Sequence, residues 1–420
     1  MSDEILRYLA WGLQLVDFDT KAVAPLFATD IASTDLDSPD SPQLEYQGGS
    51  GRSSIRIVPG PYSISGSAEW AMDVSMMHAI LYLLMGDKTT VDNTTPVTDE
   101  DISFGVGETA KAFSLVNTQI IRGSFLLYDD GTTDLIAHDD GFGRILEDAA
   151  SGFSGWIDYS TGDLYLAGGT AETDYDADYS HGTYEHTLVA TSQNILPYFT
   201  AMVGKDIDQQ DFVGCLFNQL TMSVEAEFIK MQAEIKGKND SLAAGGLIDQ
   251  DELPIPTGAH GEAQRAFHDM ALWLGDSGGA LSDTSAKCNS LSMTFNNGAD
   301  VEGQIALNDR FPTRGRVGKL EVSGAMSLEF DSFDLKKDFW GDAAGASNNN
   351  PTEKAIRIII DSGDWGDIQL DMTRVNLGKV GIAGSGVEEM RQEITYKALL
   401  DLDLGTPITA IVNNLHDFST

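Results

Sequence analysis

Two runs of alternating apolar and polar residues, 214–225 and 228–237, are separated only by Ala226-Glu227. Alternation at period two marks a strand with one buried face, and two residues between such runs leave space for a hairpin and little else. Strands this long expose unpaired edges unless further strands lie beside them. The rest of the chain offers those strands: 290–295, 300–307, 319–330, 354–361, 367–375 and 388–400 also read as strands. Residues 54–58 and 62–70 alternate on either side of Pro59-Gly60-Pro61, which predicts a hairpin or two paired strands. The expected fold class is mainly β with a few short helices.

The chain divides by pattern. Residues 1–50 read as an extended N-terminal arm, with Asp, Ser, Pro and Thr crowded into 28–47. Asp73 then opens a short helix in which Met76, Met77, Ile80, Leu81 and Leu84 share a face, and Gly86 closes it. Residues 97–186 read as an all-β insertion, with strands at 113–117, 123–128, 155–159 and 163–166 and an exposed acidic, Tyr-rich loop at 175–184. Residues 51–96 and 187–240 therefore form one discontinuous unit. Residues 241–284 form a connector with a helix over 262–274, where Phe267, Met270, Ala271 and Leu274 fall on one stripe. Residues 285–415 form a second strand-rich unit. Ser65-Gly66 precedes a helix ending at Gly86, and Ser323-Gly324 precedes one reaching Trp340-Gly341. This shared rhythm, followed in each half by a long strand pair, suggests a tandem duplication.

Charge narrows the function. Twenty-six basic and 65 acidic residues give a net charge of −39, spread between Asp3 and Asp417. Such a surface suits high salt, where screening relieves self-repulsion, and points to a halophilic source. It excludes wrapping of DNA, which needs Lys and Arg to neutralise phosphate. It is compatible with a channel through which DNA slides without sticking. Two cysteines, Cys215 and Cys288, are too few for a disulfide scaffold or zinc ribbon and read as buried thiols. Met1 to Asp19 shows no basic leader region, so a secretory signal is not expected. The most apolar run, 76–85, is too short for a membrane span.

One motif suggests catalysis. Gly275-Asp276-Ser277-Gly278-Gly279 matches the surroundings of the nucleophilic Ser of chymotrypsin-like proteases, where a His must take the Ser proton. The upstream His260 and His268 lie too close in sequence to come from another barrel, and Ala280 replaces the usual Pro. The motif therefore reads as a loop. His181 and His186 lie near Asp174, Asp176 and Asp178, which reads as a solvated acidic stretch rather than a cation site. Asp129-Asp130-Gly131 and Asp139-Asp140-Gly141 lack calcium-loop spacing and read as turns. No catalytic, cofactor-binding or metal-binding residue is assigned, and no cofactor is expected.

In order along the chain, several blocks resemble the major tail tube proteins of long-tailed phages and archaeal viruses. They are Tyr8-Leu9-Ala10-Trp11-Gly12, residues 64–86, Phe212-Val213-Gly214-Cys215-Leu216-Phe217-Asn218-Gln219-Leu220, and residues 291–297. The turn 311–316, residues 319–340, Tyr396-Lys397-Ala398-Leu399 and residues 407–414 complete the series. The resemblance implies two tandem tube domains of β-sandwich or barrel type, with residues 97–186 as a surface insertion. It implies a structural virion protein rather than an enzyme, polymerising into stacked rings that close a β-barrel channel for viral DNA. An acidic lumen would deny phosphate any partner. Rings of three chains with pseudo-sixfold symmetry are expected, six chains being the alternative, with other tail proteins at the tube ends and no membrane. A halophile's secreted or surface β-sandwich binding protein is the rival reading.

Overall fold

The computed structural model describes residues 6–15, 18–22, 25–29, 32–37, 43–46, 56–130, 134–148, 152–168, 174–205, 207–224, 228–248, 265–341, 352–383 and 390–417. The protein is mainly β, with two short α-helices among these residues. The first half of the body contains β1 (Leu6–Leu15), β2 (Phe27–Thr29), β3 (Ala32–Thr34), β4 (Ile64–Ala71), α1 (Met77–Met85), β5 (Tyr198–Lys205), β6 (Asp208–Val224), β7 (Lys230–Gly237) and β8 (Asn239–Leu242). The second half contains β9 (Met270–Asp276), β10 (Leu281–Asp283), β11 (Cys288–Asn296), β12 (Glu321–Glu329), α2 (Asp334–Trp340), β13 (Lys354–Asp361), β14 (Gly366–Ala383), β15 (Arg391–Ala398) and β16 (Thr409–Asn414).

Each pairing in the first set recurs in the second. In the first, β1 pairs with β2 and β5, β5 with β6, β6 with β7 and β8, β7 with β4, and β4 with β3. In the second, β9 pairs with β10 and β13, β13 with β14, β14 with β15 and β16, β15 with β12, and β12 with β11. The irregularities recur too. The β6–β7 ladder slips between Phe217 and Gln219, and the β14–β15 ladder slips between Leu377 and Lys379. Phe217 lies opposite Ile235, which lies opposite Gly66. Leu377 lies opposite Tyr396, which lies opposite Gly324. A Cβ on Gly66 would meet the Leu36 backbone at 3.0 Å, and one on Gly324 would meet the Ser292 carbonyl at 2.1 Å. The shared Ser-Gly step thus marks a place where adjoining strands leave no room for a side chain.

The halves join where the C-terminal part of β6 pairs with β11 over Gln219–Asn296 to Val224–Leu291. One sheet therefore runs β3–β4–β7–β6–β11–β12–β15–β14. Its apolar face packs on α1 and on the outer layer formed by β1, β5, β9, β13 and the N-terminal parts of β6 and β14, all in one core. Trp11 is the centre of the first half's share, with Phe27, Trp70, Phe199 and Phe217 rings 5.3–6.3 Å away. The strands Gly86–Ser103 and Asp174–Ala190 pair along their length as a ribbon whose base is bonded to β16. At its far end the strands between 110 and 167 enclose a second core around Phe125, Ile157 and Leu164.

Several expectations are corrected. The arm over 1–50 contains core strand β1. Tyr8, Leu9, Ala10 and Trp11 are all buried, so both faces of β1 are covered and the alternation signal vanishes. Residues 56–59 and 64–71 do not pair with each other; the first pairs with 43–46, the second with β3 and β7. The described part of the expected 262–274 helix is a 3-10 turn, Phe267–Asp269, followed by β9. Leu272 and Leu274 point into the core at period two, and pairing with β13 overrides the helical stripe. Residues 262–264 lie outside the described residues. Residues 300–307 form a 3-10 turn at Glu302–Gln304 instead of a strand. Residues 175–184 are strand, not loop, with Tyr175, Ala177 and Tyr179 buried on its inner face.

Candidate assembly surface

The polar face of the eight-stranded sheet is built by strict alternation. On β7, Lys230, Gln232, Glu234 and Lys236 point outward while Met231, Ala233 and Ile235 are buried. On β15, Arg391, Glu393, Thr395 and Lys397 point outward while Ile394 and Tyr396 are buried. At the junction of the halves, Thr221 and Thr294 share a hydrogen bond of 3.1 Å. Lys397 pairs with Glu321 at 2.9 Å, and Ser327 donates to Glu393 at 2.8 Å. Among the described residues this face and the end of β3 hold Asp35, Asp37, Glu69, Glu234, Glu321, Glu329 and Glu393 against Lys230, Lys236, Lys379, Arg391 and Lys397. The face is nearly balanced, so the excess carboxylates of the described residues lie elsewhere. If it lines a channel, the expected acidic lumen gives way to a mixed, hydroxyl-rich one.

Both ends of this sheet are open among the described residues. The first part of β14 has β13 on one side and β16 on the other, but over Lys379–Ala383 it has only β15 among the described residues. The outer edge of β3 is likewise unpaired, its ladder being with β4 alone. Beyond β3, Leu36 is buried against Gly66, while Asp35 and Asp37 are exposed. The strand expected over 367–375 runs on to Ala383, past Gly378 and Gly381. Val380 and Ile382, spaced by two, carried the signal that the strand continues.

The residues singled out for chemistry are placed apart from one another. Ser277 follows β9, and its hydroxyl donates to the Thr373 carbonyl at 3.0 Å. It borders a groove with Arg357, Asp371 and Arg374, all three of which are held in ion pairs, Arg357–Asp371 and Arg374–Glu353. His268 is exposed beside Asp269, and His260 lies outside the described residues. His186 turns away from Asp174, Asp176 and Asp178; it stacks on His78 at 4.2 Å and reaches the His416 carbonyl at 3.0 Å. Burial holds His78, His186 and His416 below the ordinary value, His416 at about 3. Asp178 accepts the Asp99 N–H. Asp139 accepts the N–H groups of Gly123, Phe125 and Gly141 and the Tyr159 hydroxyl, which is turn chemistry inside the second core. Cys215 and Cys288 are free, and burial raises both thiols, Cys215 to about 12 and Cys288 to about 11. No helix among the described residues is long and apolar enough to cross a membrane.

A family model described as phage tail tube protein matches residues 33–398, most of the chain. No curated protein matches it.

Proposed function

The chain belongs to the phage tail tube protein family, and we propose that it builds the tail tube of a long-tailed virus from rings of three chains, each supplying two tube domains. The observation that carries this reading is the strand-for-strand recurrence of β1–β8 in β9–β16 within one chain. Each set is one lateral unit: residues 51–96 with 187–240, joined by core strand β1, and residues 285–415 with β9. Residues 97–186 decorate the outside.

The strand count favours three chains. Each contributes eight strands to the polar sheet. At ~4.8 Å between strands and a tilt of about 40°, three chains close a barrel roughly 45–50 Å across between backbones. That clears a DNA duplex after side chains are added. Two chains give roughly 30 Å, which leaves no clearance, and six give roughly 95 Å, far wider than passage of one duplex needs. The polar face lines the lumen in this reading. Its Ser, Thr and Gln side chains and near-balanced charges offer phosphate no run of cations to hold it.

The carboxylates elsewhere fit a halophilic, archaeal host, with synthesis in the host cytoplasm and delivery as part of the virion. Ser277 is structural, its hydroxyl committed to a backbone carbonyl. Negative-stain microscopy of the purified chain in molar salt tests the reading: tubes or stacked rings support it, and monomers across salt and concentration contradict it.

A further inference from the structure

We propose that the open edge of β14 pairs with the β3 edge of the next copy, in the register that β6 and β11 use inside one chain. This rests on the tube reading above and names the surface through which it works. Apart from the ribbon, which is bonded to β16 and has no counterpart on β8 among the described residues, the open ends are where the halves differ in pairing. β6 has β11 beside its C-terminal part; β14, its counterpart, has no strand there among the described residues. β11 has β6 beside it; β3, its counterpart, has none among the described residues.

The matched ladder slips fix the register. Because Phe217 matches Leu377 across the slips, Thr221 matches Gly381 and Met222 matches Ile382. Gly66 matches Gly324, and each lies opposite a residue of the next strand. Met293 pairs with Gly324, and Leu36 packs against Gly66. Leu36 therefore matches Met293, and Asp37 matches Thr294. Inside the chain Met222 pairs with Met293 and Thr221 with Thr294. Between copies Ile382 then meets Leu36, and Gly381 meets Asp37. The apolar pair stays on the core face and the polar pair stays on the channel face, as in the internal junction. Lys379 stands two residues from Gly381, diagonal to the neighbour's Asp37 and within reach of a long side chain. In the single chain Asp37 is 72% exposed, with Lys205 at 3.6 Å.

The test is a cysteine pair, Gly381→Cys with Asp37→Cys, in a Cys288→Ser background. Within one chain these positions sit at opposite ends of an eight-stranded sheet, roughly 30 Å apart at the usual strand spacing, so a disulfide between them joins two copies. Tubes are assembled under reducing conditions, checked by microscopy, oxidised, and run without reductant. The expected result is a covalent ladder. Gly381→Cys with Asp35→Cys, two residues out of register, should cross-link at least tenfold less. Thr221→Cys with Thr294→Cys should give an internal disulfide and no ladder. Assembled tubes that cross-link through 35 as well as through 37, or through neither, overturn the register and leave the tube reading standing. A ladder ending at six chains keeps the register and overturns the trimer. Failure of the unsubstituted chain to assemble overturns both.

Discussion

Two buried histidines, His78 and His186, and the partly buried His416 contribute to the chain's response to acid. His78, His186 and His416 meet at the foot of the ribbon, with Asn414 bonded to His78 at 2.7 Å. Burial keeps them neutral in the fold, whereas they take up protons in the unfolded chain near the ordinary value of 6.5. Their contribution is complete above that value and is lost as pH falls below it toward the depressed folded values. Each pH unit costs about 1.4 kcal/mol for a histidine held fully neutral. Melting temperature in molar salt should therefore fall between pH 7 and pH 5.5; a flat or rising profile contradicts the buried cluster. Ser277 has a separate expectation. Ser277→Ala loses one hydrogen bond worth about 1 kcal/mol, leaves assembly intact, and changes nothing in labelling by a fluorophosphonate, since the wild-type chain should not label. The first result was not open to sequence alone: the histidines are scattered from 78 to 416, and only folding brings them together. The Ser277 motif, by contrast, was legible as a loop because no histidine upstream was suitably spaced.

At the scale of elements, legibility followed burial. Strands with one wet face, such as β7 and β15, announced themselves by alternation. Strand β1, covered on both faces, did not, and its loss from the expected core hid Trp11. Trp11→Ala should cost about 3–5 kcal/mol and prevent folding of the first half, read as loss of the cooperative melt. The ribbon was missed for another reason. Residues 86–103 are polar on both sides because most of that strand is exposed, so nothing marked it as strand. Its register corrects where the insertion should be cut. Glu185 is bonded within the sheet to both Val91 and Asn413, so a cut beside it damages the body. Removing 95–181 and joining Thr94 to Gly182, which are direct partners, through an Asn-Gly turn should preserve assembly. Melting temperature should drop, because Trp365 and Leu415 lose their cover from the second core. Loss of rings in that variant would place the insertion in the tube wall.

Over the whole molecule, the net charge of −39 and the near-balance of the polar sheet separate two roles. Among the described residues the polar sheet carries little of that charge, so the repulsion falls on the rest of the surface. Stability and assembly should rise from low to molar salt as that repulsion is screened; melts that stay flat across this range contradict the halophilic reading. The recurrence of pairings was legible only as a rhythm around Gly66 and Gly324, because the two halves share pairings and ladder slips rather than residues. Trp11 and Leu274, for example, face matching partners, Ala201 and Ile356. The mass of a single ring, measured by native mass spectrometry on rings released from tubes, tests the tandem architecture most directly. Three times the 45.2 kDa chain is the expected value; six times that mass would mean one tube domain per chain and would contradict it.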